Sequence, residues 1–193
     1  MGTAKRARLD YLGPPRMDRV RRACFLPGRP MTNAAALPVV SGEPVAVSEG
    51  VYVISDNHVP IVPNIGAGDS ATLVIDTGLG QDNGAYVLEH ARRLGSGRPV
   101  YVATTHVDPG HGFGMGAFKR KARIVFHKTQ VKEMHRQGHA YVETFSRQRP
   151  GLTPMLRGVE FVEPDIVFAD GHVELDLGGH RAVLRHYGPG ARR

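Results

Sequence analysis

PVYVATTHVDPGHGFG, residues 99–114, decides the fold. Its first half is a nearly unbroken run of apolar and β-branched residues, the pattern of a strand covered on both faces. The strand runs straight into two histidines, an aspartate and a burst of glycines. A ligand cluster just beyond a buried strand is well placed: the strand end is rigid and the loop faces a cleft. His106 and Asp108 are two apart, so in an extended segment their side chains point the same way. A turn through Pro109 and Gly110 folds His111 back towards them. Two imidazoles and a carboxylate form a normal ligand set for zinc, and for iron or manganese if more oxygen ligands join. With one position left open, such an ion polarises a water and lowers its pKa.

Other readings of the same residues fare worse. Gly112, Gly114 and Gly116 alternate as in a dinucleotide-binding loop. That fingerprint needs its glycines at the strand-to-helix turn and an acid ending the next strand. The next strand here ends His127-Lys128. His135 and His139 are four apart on a helix-compatible stretch, but Gly138 between them is expected to break the helix, and they read as a surface pair. His58, His90, His172 and His180 have no ligand-like neighbours.

Working outward, residues 45–54 read as a hairpin turning at Glu49-Gly50. Gly66-Ala67-Gly68-Asp69 is expected to separate two further strands, the second being ATLVID at 71–76. GAYVLEHARRLG, 84–95, has helical spacing and a terminal glycine. ARIVFH, 122–127, is a strand. Residues 128–157 are helix-compatible, with breaks expected at Gly138 and Pro150-Gly151. The segment 165–187 reads as three strands turning at Asp170-Gly171 and Gly178-Gly179. The sum is an α/β chain with a mixed sheet.

The chain has 193 residues, 41% hydrophobic and 22% charged, as in an ordinary soluble globular protein. Its single cysteine, Cys24, excludes an internal disulfide framework. The net charge is +7, yet residues 1–30 alone hold eight basic side chains against Asp10 and Asp18. The high charge therefore belongs to the tail. Residues 1–43, rich in Pro, Gly, Arg and Ala, read as a disordered basic extension, solvated rather than committed to nucleic acid. No apolar run is long enough to span a membrane and no hydrophobic segment follows the basic N-terminus, so a cytoplasmic location is expected.

With these residues in hand, the chain resembles the metallo-β-lactamase-fold hydrolases over about residues 45–190. The resemblance rests on GVYVISD, LVIDTG, PVYVATTH, GHGFGMGAF and LRHYGPG. It implies an αββα sandwich, here a partial one made mostly of the N-terminal half, with metals on the loops between the sheets. It further implies attack of metal-bound hydroxide on an ester, lactam, thioester or phosphodiester of unknown identity. Asp76 would be the acid that ends its strand and supports the site. The metal ligands carried over are His106, Asp108 and His111, with zinc, iron or manganese as the ion and no catalytic residue assigned.

The departures are specific. The family pattern is H-x-H-x-D-H. His106 and His111 match its first and last histidines, Asp108 replaces the second, and Gly110 stands where the family has an acid that binds metal and holds the nucleophile. The later GPAH-type turn reads Gly188-Pro189-Gly190-Ala191, without an imidazole. The remaining family ligands would lie beyond Arg193, so the domain at 44–193 is expected to be incomplete at its C-terminus. One weakly held ion is the most expected, with an exposed sheet edge and apolar patch near 165–186 that favours dimerisation. The functions to weigh are a metal-dependent hydrolase of weak or lost activity, an inactive remnant or binding module, and nucleic-acid binding through the tail.

The ending GPGARR adds one expectation. A permitted back-translation, with one G deleted from a GC-rich run, reads Gly-Pro-Ala-His-Ala-Gly-Asp, restoring the turn, its histidine and an acid. Sequencing the gene past its stop is expected to find a frame continuing as a metallo-β-lactamase-like second half. The absence of any such frame would refute the frameshift.

Overall fold

The computed structural model describes residues 42–54, 63–169 and 171–188. The basic tail up to residue 41, Cys24, His58, Asp170 and the Pro189–Arg193 ending lie outside them.

β1 (Pro44–Ser48) and β2 (Val51–Ile54) form the expected hairpin. β3 (Asn64–Ala67) and β4 (Thr72–Ile75) follow antiparallel. β3 thus includes Gly66 and Ala67, which the sequence reading assigned to the break. The turn starts only at Gly68, where an added Cβ would lie 2.1 Å from the carbonyl oxygen of Leu177. α1 (Gln81–Leu94) crosses over to β5 (Val100–Ala103), which lies parallel to β4. β6 (Arg123–His127) and β7 (Ile166–Phe168) extend the parallel half. The seven strands form one sheet in chain order, β1 to β7. β8 (His172–Asp176) and β9 (Arg181–Arg185) form a separate two-stranded sheet.

Burial explains the layers. Val74, Val102 and Ile124 face α1 and the long α2 (Lys128–Gln148), joining Val87, Leu88, Ala91 and Met134 in the main core. Leu73, Ala103 and Val125 point the other way and pack against Leu175, Leu177 and Leu184 of the second sheet. Each fully buried aliphatic side chain contributes on the order of 1.5–3 kcal/mol. The near-continuous apolar run of β4 reflects this cover on both faces. The described layers are helices, sheet, sheet: three of the four in an αββα sandwich. Val167 and Val183 stay 54% and 44% exposed, and Val45 and Val47 on edge strand β1 more so.

Gly138 does not break α2, contrary to the sequence expectation. It is buried, and a Cβ there would sit 3.0 Å from the Phe161 ring. The ring needs the space, and packing outweighs the roughly 1 kcal/mol of lost helix propensity. The helix ends instead at Gln148, before Pro150, and a short 3₁₀ turn leads to α3 (Thr153–Leu156). At its start His127 supplies the cap: its side chain accepts from Thr129 N, and Gln130 reaches back to His127 N at 3.0 Å.

Gly114 serves packing against Gly84 and Thr77. A Cβ on Gly84 would lie 2.0 Å from the Gly114 carbonyl oxygen, and one on Gly114 would lie 2.2 Å from the Thr77 carbonyl oxygen. Helix and loop touch backbone to backbone. Gly84→Ala, which in an ordinary helix stabilises by roughly 1 kcal/mol, is therefore expected to destabilise this protein by about 2 kcal/mol or more. Urea unfolding measures it, and a stabilised variant would refute the contact.

Candidate metal loop

The loop lies at the C-terminal ends of β4 and β5, adjacent parallel strands. Asp76 ends β4 with φ +67, a left-handed conformation that aspartate tolerates better than most residues. Its residue is only 5% exposed. Its carboxylate accepts from Thr105 N at 2.8 Å, from the Thr105 hydroxyl at 3.1 Å and from His111 Nδ1 at 2.9 Å. A buried carboxylate is tolerated only when so satisfied.

The backbone completes the clasp. Thr77 donates to the His111 carbonyl through N at 2.7 Å and through its hydroxyl at 2.9 Å. Gly78 and Gly110 form an isolated antiparallel bridge, at φ +85 and φ +92. Gly114 N donates to Gly78 O. Residues 76–78 thus hold both ends of the turn that brings His111 back to His106.

The hydrogen bonds assign the ring tautomers. Ionised Asp76 can only accept, so His111 donates from Nδ1 and keeps its lone pair on Nε2. The single Thr105 hydroxyl proton goes to Asp76, so His106 Nδ1, 2.9 Å away, donates to that hydroxyl oxygen. Its Nε2 also carries the lone pair. The two rings lie 4.0 Å apart between centroids, tilted by 38°. Burial, and next the neighbouring His111, hold the His106 pKa below the ordinary histidine value, partly offset by Asp108 and Asp76. A neutral ring with a free Nε2 is the ligating form of histidine.

Asp108 is the third candidate. Its Oδ2 lies 3.6 Å from His106 Nε2, with both side chains about half exposed. The structure therefore brings His106, Asp108 and His111 together and supports two of them through Asp76. Among the described residues, however, no three His, Cys, Asp or Glu side chains form a group able to hold a metal ion. The donor types suit a zinc-like cation, but the arrangement does not fit the superfamily's full metal centre.

Sequence reasoning missed several neighbours. Thr105 links Asp76 to both rings, and its only sequence signal is its place before His106. Gln130 donates to Thr104 O at 2.6 Å, tying α2 to the end of β5. His127 and His186 stack 3.8 Å apart with 20° between their planes. Nothing in their spacing marks them as partners. They border a cleft of about 540 Å³, whose lining includes Thr105, His106, Val125, Phe168 and Leu184. His135 pairs with Glu163, and His139 sets an edge on Phe161, so these two histidines share no ligand.

A family model described as the metallo-beta-lactamase superfamily matches residues 65–192. A beta-lactamase from Chitinophaga pinensis is similar in structure, with a TM-score of 0.55 and 18% identity, over 81% of this chain and 57% of its own. A Cronobacter sakazakii metallo-beta-lactamase with a HARLDQ motif gives 0.51 and 23%, over 75% and 51%. The FEZ-1 metallo-beta-lactamase of Legionella gormanii gives 0.51 and 18%, over 75% and 52%. The chain spans about half the length of these structures. No curated protein matches. No helix among the described residues is long and apolar enough to cross a membrane. Members of the matched superfamily typically bind metal ions and have a metal-dependent hydrolase-like fold. On the family match and the shared fold, this chain belongs to the metallo-beta-lactamase superfamily.

Proposed function

We propose that this chain is a metallohydrolase-fold protein whose metal loop is degenerate, holding one zinc-type ion weakly at most through His106, Asp108 and His111. Hydrolytic activity is weak or absent. One observation carries the reading: the loop keeps its supporting clasp around His106 and His111, yet puts Gly110 at φ +92, where the family pattern has an acid. Two imidazoles and one exposed carboxylate leave a zinc-type ion short of ligands. Exposed to water, such an ion exchanges readily.

A second reading, an inactive module that binds a small molecule, is supported by the 540 Å³ cleft beside the loop. Titration of the purified full chain with hydrolysable lactam and ester probes, with and without zinc, separates the two.

After desalting, the full chain is expected to retain less than one equivalent of zinc, iron and manganese together by elemental analysis. Two tightly held equivalents would overturn the proposal. The double variant Asp108→His, Gly110→Asp is expected to gain no metal-dependent turnover. Aspartate at φ +92 strains the backbone by an estimated 1–3 kcal/mol, and the Gly78–Gly110 bridge resists relaxation. Zinc-dependent hydrolysis by that variant would refute this account.

A further inference from the structure

In the second sheet β8 and β9 pair with each other, and the outer edge of β9 has no strand partner among the described residues. Register and hydrogen bonding identify the groups on that edge. His172 faces Arg185, Glu174 faces Val183 and Asp176 faces Arg181. At one end of the ladder Leu177 N donates to His180 O at 2.8 Å, and at the other His186 N donates to Gly171 O at 3.3 Å. In an antiparallel pair, hydrogen-bonded residues alternate with residues that turn their N–H and C=O the other way. The even-numbered residues of β9 therefore bond to β8. Arg181, Val183 and Arg185 point their backbone groups outward.

The 540 Å³ cleft runs along this edge. Residues 183–188 line it without interruption, although successive side chains of a strand point to opposite faces. None of its described lining residues belongs to β8. Only a cleft beside β9, on the side away from β8, meets both conditions. Its apolar wall includes Ile75, Ala103, Val125 and Leu184, all packed between the two sheets. Among the described residues the outward N–H and C=O groups of Val183 and Arg185 have no hydrogen-bond partner. Regularly spaced, unpaired backbone groups beside an apolar wall are what an added strand requires.

Arg185 adds a position-specific charge. It is exposed on the face of β9 opposite Leu184, so it points away from the first sheet. It makes no ion pair among the described residues. The acids on β8 are engaged: Glu174 is shared by Arg181 and His172 at 3.4 Å each, and Asp176 Oδ1 accepts from Gly178 N at 2.9 Å. Glu133 also lines the cleft, but it comes from α2, on the far side of the first sheet, and accepts from the Tyr141 hydroxyl at 3.1 Å. It does not share a face with Arg185.

We propose that the outer edge of β9 takes an extended peptide as a third strand, with apolar side chains turned to the wall of Ile75, Ala103 and Val125 and an acid facing Arg185. A second copy of this chain fits worse. Antiparallel pairing of two β9 edges about Val183 sets Arg181 opposite Arg185, like charge against like. The site needs neither metal nor turnover, so its failure leaves the reading of the metal loop standing.

The test is fluorescence anisotropy of the full chain with a capped, labelled peptide, Asp-Val-Thr-Val-Asp, whose pattern is the same in both directions. Methylating the threonine amide nitrogen removes the donor to Val183 O and is expected to weaken binding by about tenfold. Methylating the valine amides, which point away from β9, is expected to change little. Val183→Pro removes the outward N–H but leaves the ladder to β8 whole, and is expected to weaken binding by about tenfold. Arg185→Glu is expected to reverse the preference from the Asp peptide to its Lys-Val-Thr-Val-Lys counterpart, and it carries the comparison if Val183→Pro fails to fold. No binding of the Asp peptide overturns the proposal. Equal binding of the peptide methylated at threonine also overturns it, by showing an apolar ligand without strand pairing. So does a dimer, seen by sedimentation, that Val183→Pro converts to monomer, because the edge then belongs to a second copy.

Discussion

One buried carboxylate organises the candidate site. Asp76 sits where β4 ends, out of reach of water, and its charge must be met by donors from the protein. Thr105 supplies two and His111 a third. Any loop conformation that withdraws them leaves an unpaired buried charge, which costs several kcal/mol. The carboxylate thus fixes the path of residues 105–111, the tautomers of both rings and the left-handed backbone at its own position. Hydrogen bonds among residues 76–78, 105 and 111 hold the loop in shape.

Close approach is the second constraint. The Gly84–Gly114 contact lets α1 lie against the loop, and the Gly78–Gly110 bridge closes the turn. Gly114, one of the glycines that alternate as in a dinucleotide-binding loop, is there because two backbones occupy space that a Cβ would need. Gly110 is set by backbone conformation instead, at φ +92. Its loss of a family carboxylate and its positive φ are two sides of one local geometry, because a side chain there would strain the turn that returns His111 to His106.

The candidate loop was legible in the sequence. His106, Asp108 and His111 stood out because ligand-type residues clustered after a buried strand, and Asp76 through the family resemblance of LVIDTG. Thr105 was hidden, since its role depends on a hydroxyl reaching across two strands. His127 and His186 are far apart in the chain and meet only because β9 folds over the end of β6. Gly138 misled because propensity is a local quantity, whereas the Phe161 ring that needs the space comes from a distant segment.

By itself the sequence determined the α/β class, most strand positions, the metal-loop candidates and their departures from the family pattern. These follow from periodicity, turn chemistry and residue type, which act over a few neighbouring positions. The tertiary structure alone decided which donors Asp76 satisfies, which ring nitrogens stay free and where Gly110 sits in backbone space. Those outcomes depend on strand pairing and interlayer packing, which bring together groups that chain order leaves far apart.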